Sequence, residues 1–391
     1  MSAFLWRIAE SRAPARPLAL ARIGAAAAML LELPNSGGTL LRLADPSVIH
    51  APYLAWTPRL TEPMAWALIG LWLVSALALM LGWRARWSGA VLTATLATVL
   101  FADQQTYSNH LFLMLPVAGL LTVADSGAAI SLDARRVGSR DWVAGWPVWL
   151  LCGQVVIVYA FAALSKMNPD FLSGSVVASY LRRDGVLAIP GSWRSFEPMF
   201  VLSLLAVSSE AFLALSLWSS RRRPAAMVIG LGLHGFITGW LSPTMSLLVF
   251  SVLMVPLYLP FLDVEPAGRV VVWDDGCGFC EGWVRWFRRL DWMHGLRFVP
   301  RSSLASAELP VDEDAAARAL QFVPPHGRVR GGFAAVTRVL ELLPVSFLWA
   351  PLLRLPPVAA IGERVYRRVA ANRSCELPLR ASGAPAESRR T

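Results

Sequence analysis

Two cysteines, Cys277 and Cys280, stand two residues apart just after the apolar run Arg269 to Asp274. Beyond them Trp283, Trp286, Phe287 and Leu290 recur at helical spacing, with Arg285, Arg288 and Arg289 on the other side. A strand-to-helix junction of this kind puts the first sulfur at a helix N-terminus, where open amides and the helix dipole favour a thiolate. The two-residue spacer lets the second sulfur reach the first, so a disulfide can form and open. Cys277 is therefore expected to attack and Cys280 to resolve. Asp275 is a candidate for proton transfer, although an adjacent anion also disfavours a thiolate. A zinc site is the competing reading. It needs two more ligands, for which Cys375 and His294 are the nearest candidates, and neither belongs to a second Cys-x-x-Cys knuckle.

Lys166 is the second chemical centre. It is the only lysine among the 36 basic residues, all the others being arginine. Arginine stays protonated at any working pH, whereas a desolvated lysine can become a neutral amine and act as a base. A snorkelling cation at a membrane edge accounts for the position equally well on composition, since arginine snorkels too. Four more polar residues fall in or beside apolar runs, where they are costly and so mark function: Asn109, His110, Glu210 and His234. Hydrogen bonding between helices is the plainer role for Glu210 and His234.

The elements that position these groups follow from the apolar runs. The chain has 391 residues, 55% of them hydrophobic, with 17 tryptophans, too apolar for a single soluble core. Runs near 18–33, 64–82, 87–102, 111–124, 143–165, 197–218, 225–240 and 244–261 predict about eight spans, the 111–124 run being short. The run 18–33 lacks a cleavage site before Pro34 and reads as a span, with Arg22 snorkelling to the near interface. Arginines gather at 7–16, 84–86, 135–140 and 221–223, on one side of the predicted topology, which places both termini in the cytoplasm. The same clustering turns the net charge of +10 away from nucleic acid and towards membrane topology. Composition changes past Phe261, giving a membrane domain over 1–262, a linker over 263–268, a small α/β domain over 269–380 and a disordered tail over 381–391. In the α/β part, a second strand is expected over 296–300 and a hairpin turning at His326-Gly327 within 319–333. Helices are expected over 334–343 and 362–372.

The run V-V-W-D-D-G-C-G-F-C-E-G-W-V-R-W-F-R-R-L-D resembles the signature of the DCC thiol-disulfide oxidoreductases, and V-Y-R-R-V-A-A-N-R resembles their last helix. The resemblance, over roughly 269–375, implies a thioredoxin-like fold and dithiol chemistry at Cys277 and Cys280. No counterpart of the cis-proline facing the cysteines of thioredoxin is evident. Asn109-His110 with Leu111-Phe112-Leu113, then Tyr159-x-x-Ala-x-x-x-Lys166 with Asp170, Phe171 and Gly174, is similar to the HTTM domain over roughly 15–262. Vitamin K-dependent γ-glutamyl carboxylases share that domain. The resemblance implies that Lys166 is a base acting on a quinol and that His110 stabilises charge on the reacting carbon or carboxyl, with Asn109 and Tyr159 of the same motif in the pocket; the predicted topology sets His234 and Glu210 deeper, as candidates to line the same cavity. The carboxylases carry a large lumenal domain that this chain replaces with the dithiol part.

Together these readings predict a membrane-bound thiol-disulfide oxidoreductase, an integral protein of a bacterial inner membrane. No covalently bound cofactor or metal is expected. Its partners would be the lipid bilayer, thioredoxin-type protein thiols and a quinone or quinol of the vitamin K type. A carboxylase or epoxidase is one alternative. A transporter or lipid-binding protein regulated by the dithiol domain is another.

Overall fold

The computed structural model describes residues 10–181, 196–241, 245–262, 264–265, 268–347 and 349–372, which form two compact units meeting at Asp263 and Val264. The expected tail over 381–391, Cys375, and Arg7, Arg182, Arg183 and Arg194 lie outside the described residues.

In the first unit a short strand β1 (Arg12–Pro14) pairs antiparallel with β2 (Trp142–Ala144). The helices of ten residues or more are α1 (Ala15–Leu43), α2 (Glu62–Leu81), α3 (Ala85–Ala102), α4 (Asn109–Val123), α5 (Gly145–Lys166), α6 (Phe196–Ser216), α7 (Arg223–Phe236) and α8 (Met245–Met254). A 3₁₀ turn, Pro256–Phe261, follows the last of them. The outward face of α2 leaves Trp66, Leu71, Val74 and Leu77 exposed, as a lipid-facing helix does, because hydrocarbon does not penalise apolar surface. Helix α1 is instead buried along an alanine stripe, Ala15, Ala19, Ala21, Ala25, Ala26 and Ala28, that lets neighbouring backbones approach. The approach is close at Gly24, where a Cβ would stand 2.3 Å from Pro256 Cγ.

Among the described residues five helices are long and apolar enough to cross a bilayer, and Asn109–Val123 and Leu247–Phe261 are shorter apolar helices, where about eight spans are expected. Helix α4, with 15 residues, is about 22 Å long, short of the roughly 30 Å hydrocarbon layer. Two expectations change here. The first span, expected over 18–33, is a helix of 29 residues that continues through Pro34. Arg22 does not snorkel. Its side chain is fully buried, and its guanidinium donates to the carbonyls of Ser126, Ala129 and Ile130, which offsets part of the cost of burying the charge, while Nε is buried without a hydrogen-bond partner among the described residues.

The second unit holds a four-stranded sheet in the order β4-β3-β5-β6, from β3 (Arg269–Trp273), β4 (Leu296–Pro300), β5 (Gln321–Val323) and β6 (Arg330–Gly331). Strands β3 and β4 are parallel, in register from Arg269↔Leu296 to Trp273↔Pro300, while β5 and β6 run antiparallel. Helix α9 (Gly278–Leu290) makes the crossover between β3 and β4, and α10 (Gly332–Leu342) and α11 (Pro356–Asn372) follow the hairpin. Alternate residues of the strands face opposite ways. Val271 and Phe322 pack with Phe287 of α9 and Ala335, Val339 and Leu340 of α10, while Val270, Val272, Val299 and Val323 pack with Leu304 and Ala316. Gly327 supplies the positive φ, +110°, that the β5–β6 turn requires.

Candidate functional site: a helix-capped dithiol and a buried polar layer

Strand β3 ends at Trp273, the loop Asp274–Gly276 turns, and Cys277 is the residue from which α9 springs. The Cys277 amide donates to the Asp274 carbonyl at 3.3 Å, and the Cys277 carbonyl receives the Glu281 amide at 3.0 Å, the first bond of the helix. Both cysteines are thiols, Cys277 fully buried at 0% exposure and Cys280 half-buried. One turn of helix separates them, the spacing a disulfide within a helical first turn uses. Cys277, at the thiolate-favouring position, is thus the more deeply buried of the two residues.

Asp275 is bonded to the segment that follows β4. Ser302 donates its amide to Asp275 Oδ1 at 3.2 Å and its hydroxyl to Oδ2 at 2.5 Å. Partial burial raises the Asp275 pKa, but the Ser302 bonds and the charge of Arg301 outweigh it and hold the carboxyl below the usual carboxylate range. Asp274, unflagged by the spacing rules, makes a similar tie: its Oδ1 accepts the Gly276 amide at 3.2 Å and lies 3.4 Å from Arg301 Nε. The loop before the dithiol is therefore clamped at two points to the 301–302 segment. Pro300 closes β4 opposite Trp273, and no cis peptide bond occurs among the described residues. His294 sits at positive φ, 52°, in the turn that Asp291 organises through the amides of Gly295 and Leu296.

In the helical unit the singled-out residues fall into three groups. Lys166, the last residue of α5, places Nζ 2.7 and 2.8 Å from the two Glu210 oxygens of α6 and 5.8 Å from the Phe171 ring centre. Glu210 is buried at 6% exposure. Two turns earlier on α5, Tyr159 bonds through its hydroxyl to His234 Nε2 of α7 at 2.6 Å and to the Tyr258 hydroxyl. His234 Nδ1 stands 3.1 Å from Ser251 Oγ of α8. All four of these residues are buried. His110, near the start of α4, is paired elsewhere, its Nε2 2.9 Å from Glu32 Oε2 of α1 and 3.2 Å from Ser108 Oγ. Asn35 and Ser36 donate to Glu32 Oε1 at 2.9 and 2.7 Å. Asn109 is exposed and accepts a bond from the Tyr107 hydroxyl at 3.1 Å.

Glu32, Tyr258 and Ser251 escaped the sequence reading. Glu32 had a signal, a carboxylate inside an otherwise apolar run, Leu30-Leu31-Glu32-Leu33, which is costly in hydrocarbon unless partnered. Tyr258 and Ser251 look like ordinary residues of a last apolar segment, and nothing local sets them apart.

Helices able to cross a bilayer, joined to a parallel strand pair whose crossover helix starts at a Cys-x-x-Cys, define a membrane protein with a dithiol module. The family model of the HTTM domain matches residues 11–261, and that of the DCC1-like thiol-disulfide oxidoreductases matches residues 271–375. The chain belongs to the HTTM family and carries a DCC1-like domain after it, a combination of membrane thiol-disulfide oxidoreductase kind. No solved structure matches the chain.

Proposed function

We propose that the protein moves two electrons between the Cys277/Cys280 dithiol and a partner disulfide or a membrane quinone, while its helical unit handles protons at Lys166. The observation that carries this reading is the placement of the Cys-x-x-Cys at the start of α9, in a sheet of order β4-β3-β5-β6 with the first pair parallel. That order and pattern of directions are those of the thioredoxin fold. The exchange balances as follows: the Cys280 thiolate attacks one sulfur of a partner disulfide and releases the other as a thiol. The Cys277 sulfur then displaces the partner from the mixed disulfide, leaving a Cys277–Cys280 disulfide and two partner thiols. With a quinone as oxidant, the two thiols give two electrons and two protons and the quinone leaves as quinol.

A base role for Lys166 needs Glu210, 2.7 Å from Nζ, as the acceptor of its proton. Transfer of one proton from Nζ to Glu210 yields a neutral amine and a neutral acid, a pair that tolerates desolvation better than two ions do. A substrate that excludes water from the pair would drive that transfer, and the amine then takes the substrate's proton. The Glu32–His110 pair is the counterpart on α1 and α4, where the carboxylate orients the imidazole.

The experiment is a thiol-state assay on the full chain in lipid nanodiscs. The reduced protein is mixed with an oxidised protein dithiol or with a menaquinone-type quinone, and the thiols are counted by maleimide gel shift. Oxidation by either, lost in Cys277→Ser and Cys280→Ser, supports the dithiol reading, and thiols that ignore both oxidants overturn it. A fall in the quinone reaction alone in Lys166→Ala supports the lysine role.

A further inference from the structure

Within the second unit, helix α9 carries an aromatic ridge that is close to half exposed. Phe279, Trp283 and Trp286, at i, i+4 and i+7, share one face and are 46, 47 and 42% exposed. They stack edge to face with centroids 6.4 and 5.6 Å apart, a continuous strip that begins between the two cysteines. At close to half exposure each, the rings present about 300 Å² of apolar surface, as large as a functional patch on a monomer. Val284 and Phe287 are the buried residues of the helix and border the ridge, Trp283 and Trp286 lying with ring centres 5.9 and 5.5 Å from that of Phe287. Arg285, Arg288 and Arg289 are exposed, and Glu281 is the helix's one acid. Trp292, just past the helix end, is 45% exposed.

We infer that α9 is an interfacial anchor that lays this ridge on an anionic bilayer surface and so presents Cys280 at headgroup depth. Three features select lipid over protein as the occupant. Two of the three ridge residues are tryptophans, the side chain that settles at the membrane interface with its ring in the apolar zone and its N–H towards water. The arginines match anionic headgroups, and aromatic ridge plus arginine flank is the pattern of helices that lie in the interface plane. The chain is also held in a membrane by its spans, so a bilayer surface is present at high effective concentration. The exposed stripe of α11, Val358, Ile361, Val365 and Val369, is aliphatic and lacks this interfacial character. The proposal rests on the dithiol reading only for its consequence, that lipid-dissolved oxidants reach the half-buried Cys280. The docking itself does not require redox activity.

The test is photocrosslinking of the wild-type full chain in nanodiscs of phosphatidylcholine with or without phosphatidylglycerol, using a lipid with a diazirine near the headgroup. Labelled peptides are mapped by mass spectrometry, with the exposed face of α2 as the internal standard. Docking predicts label on 278–290 that is stronger in anionic discs and unchanged by Cys280→Ser. Each arginine near an anionic surface contributes about a fivefold preference. Arg285→Gln with Arg289→Gln should therefore erase most of the difference between the two lipids, and Trp283→Ser with Trp286→Ser should lower labelling in both. Label on α2 but none on 278–290, or equal label in both lipids, overturns the proposal. So does hydrogen-exchange protection of 278–290 that is identical in nanodiscs and in detergent, which would assign the ridge to a protein surface.

Discussion

At the scale of single residues, the position of the dithiol and its loop was legible and the burial of its two members was not. Cys277 and Cys280 stand where the spacing predicts, at the start of a helix, because an apolar strand followed by Asp-Asp-Gly leaves the chain little choice but to turn there. Burial is a property of neighbours, so the sequence could not reveal that Cys277 is closed and Cys280 half-open. Contact through Cys280 predicts that Cys277→Ser traps a mixed disulfide with a small-molecule or protein thiol, whereas Cys280→Ser traps much less. Non-reducing gels with mass spectrometry would read the difference, and equal trapping would return first attack to Cys277. Asp275 makes a second residue-scale prediction. Its pKa is held below the unfolded value by Ser302 and Arg301, so the clamp contributes its full stability above the unfolded value of about 4. That contribution is lost as pH falls through the lower folded value. Asp275→Asn should cost about 0.5–1 kcal/mol at neutral pH, discounted for its partial exposure, and almost nothing in strong acid. Denaturant melts of the second unit at the two pH values would detect it.

At the scale of elements, apolar runs located the helices well but misjudged their ends and their partners. The strand over 296–300, the hairpin at His326-Gly327 and the helix after the cysteines were legible because each is fixed by local pattern. Helix α1 overran its expected end because surrounding helices hold it through Pro34, a tertiary override of a local break signal. Glu32 meets His110 and Tyr159 meets His234 across 75 or more residues of sequence, which no local rule spans. Arg22 illustrates the energetics: Arg22→Leu leaves three carbonyls of the 126–130 loop without their donor and should cost about 3 kcal/mol. The readout is a lowered unfolding temperature in detergent, with Arg22→Lys recovering part of the loss. Gly230 sets the approach of α7 to the 256–261 turn, since a Cβ there would stand 2.2 Å from the Tyr258 hydroxyl. Gly230→Ala should therefore displace Tyr258 and break its contact with Tyr159, visible as a shifted tyrosine O–H band in infrared difference spectra. An unchanged band would mean that the helices yield instead.

At the scale of the whole molecule, composition predicts a membrane part and a polar part, and the structure divides into two compact units between residues 263 and 264. What composition left open is how many apolar segments cross the bilayer, because helices of 14 or 15 residues such as α7 and α4 are long enough to pack yet short of a perpendicular span. The proposed function requires that this membrane protein open and close a Cys277–Cys280 disulfide. The most direct test is a redox titration of the wild-type chain in nanodiscs against glutathione buffers, with the linked and unlinked peptides quantified by mass spectrometry. The account predicts one two-electron transition between dithiol and disulfide, fully reversible and absent in either single cysteine variant. Retention of both thiols across the whole range, or linkage of either cysteine only to glutathione, would contradict it.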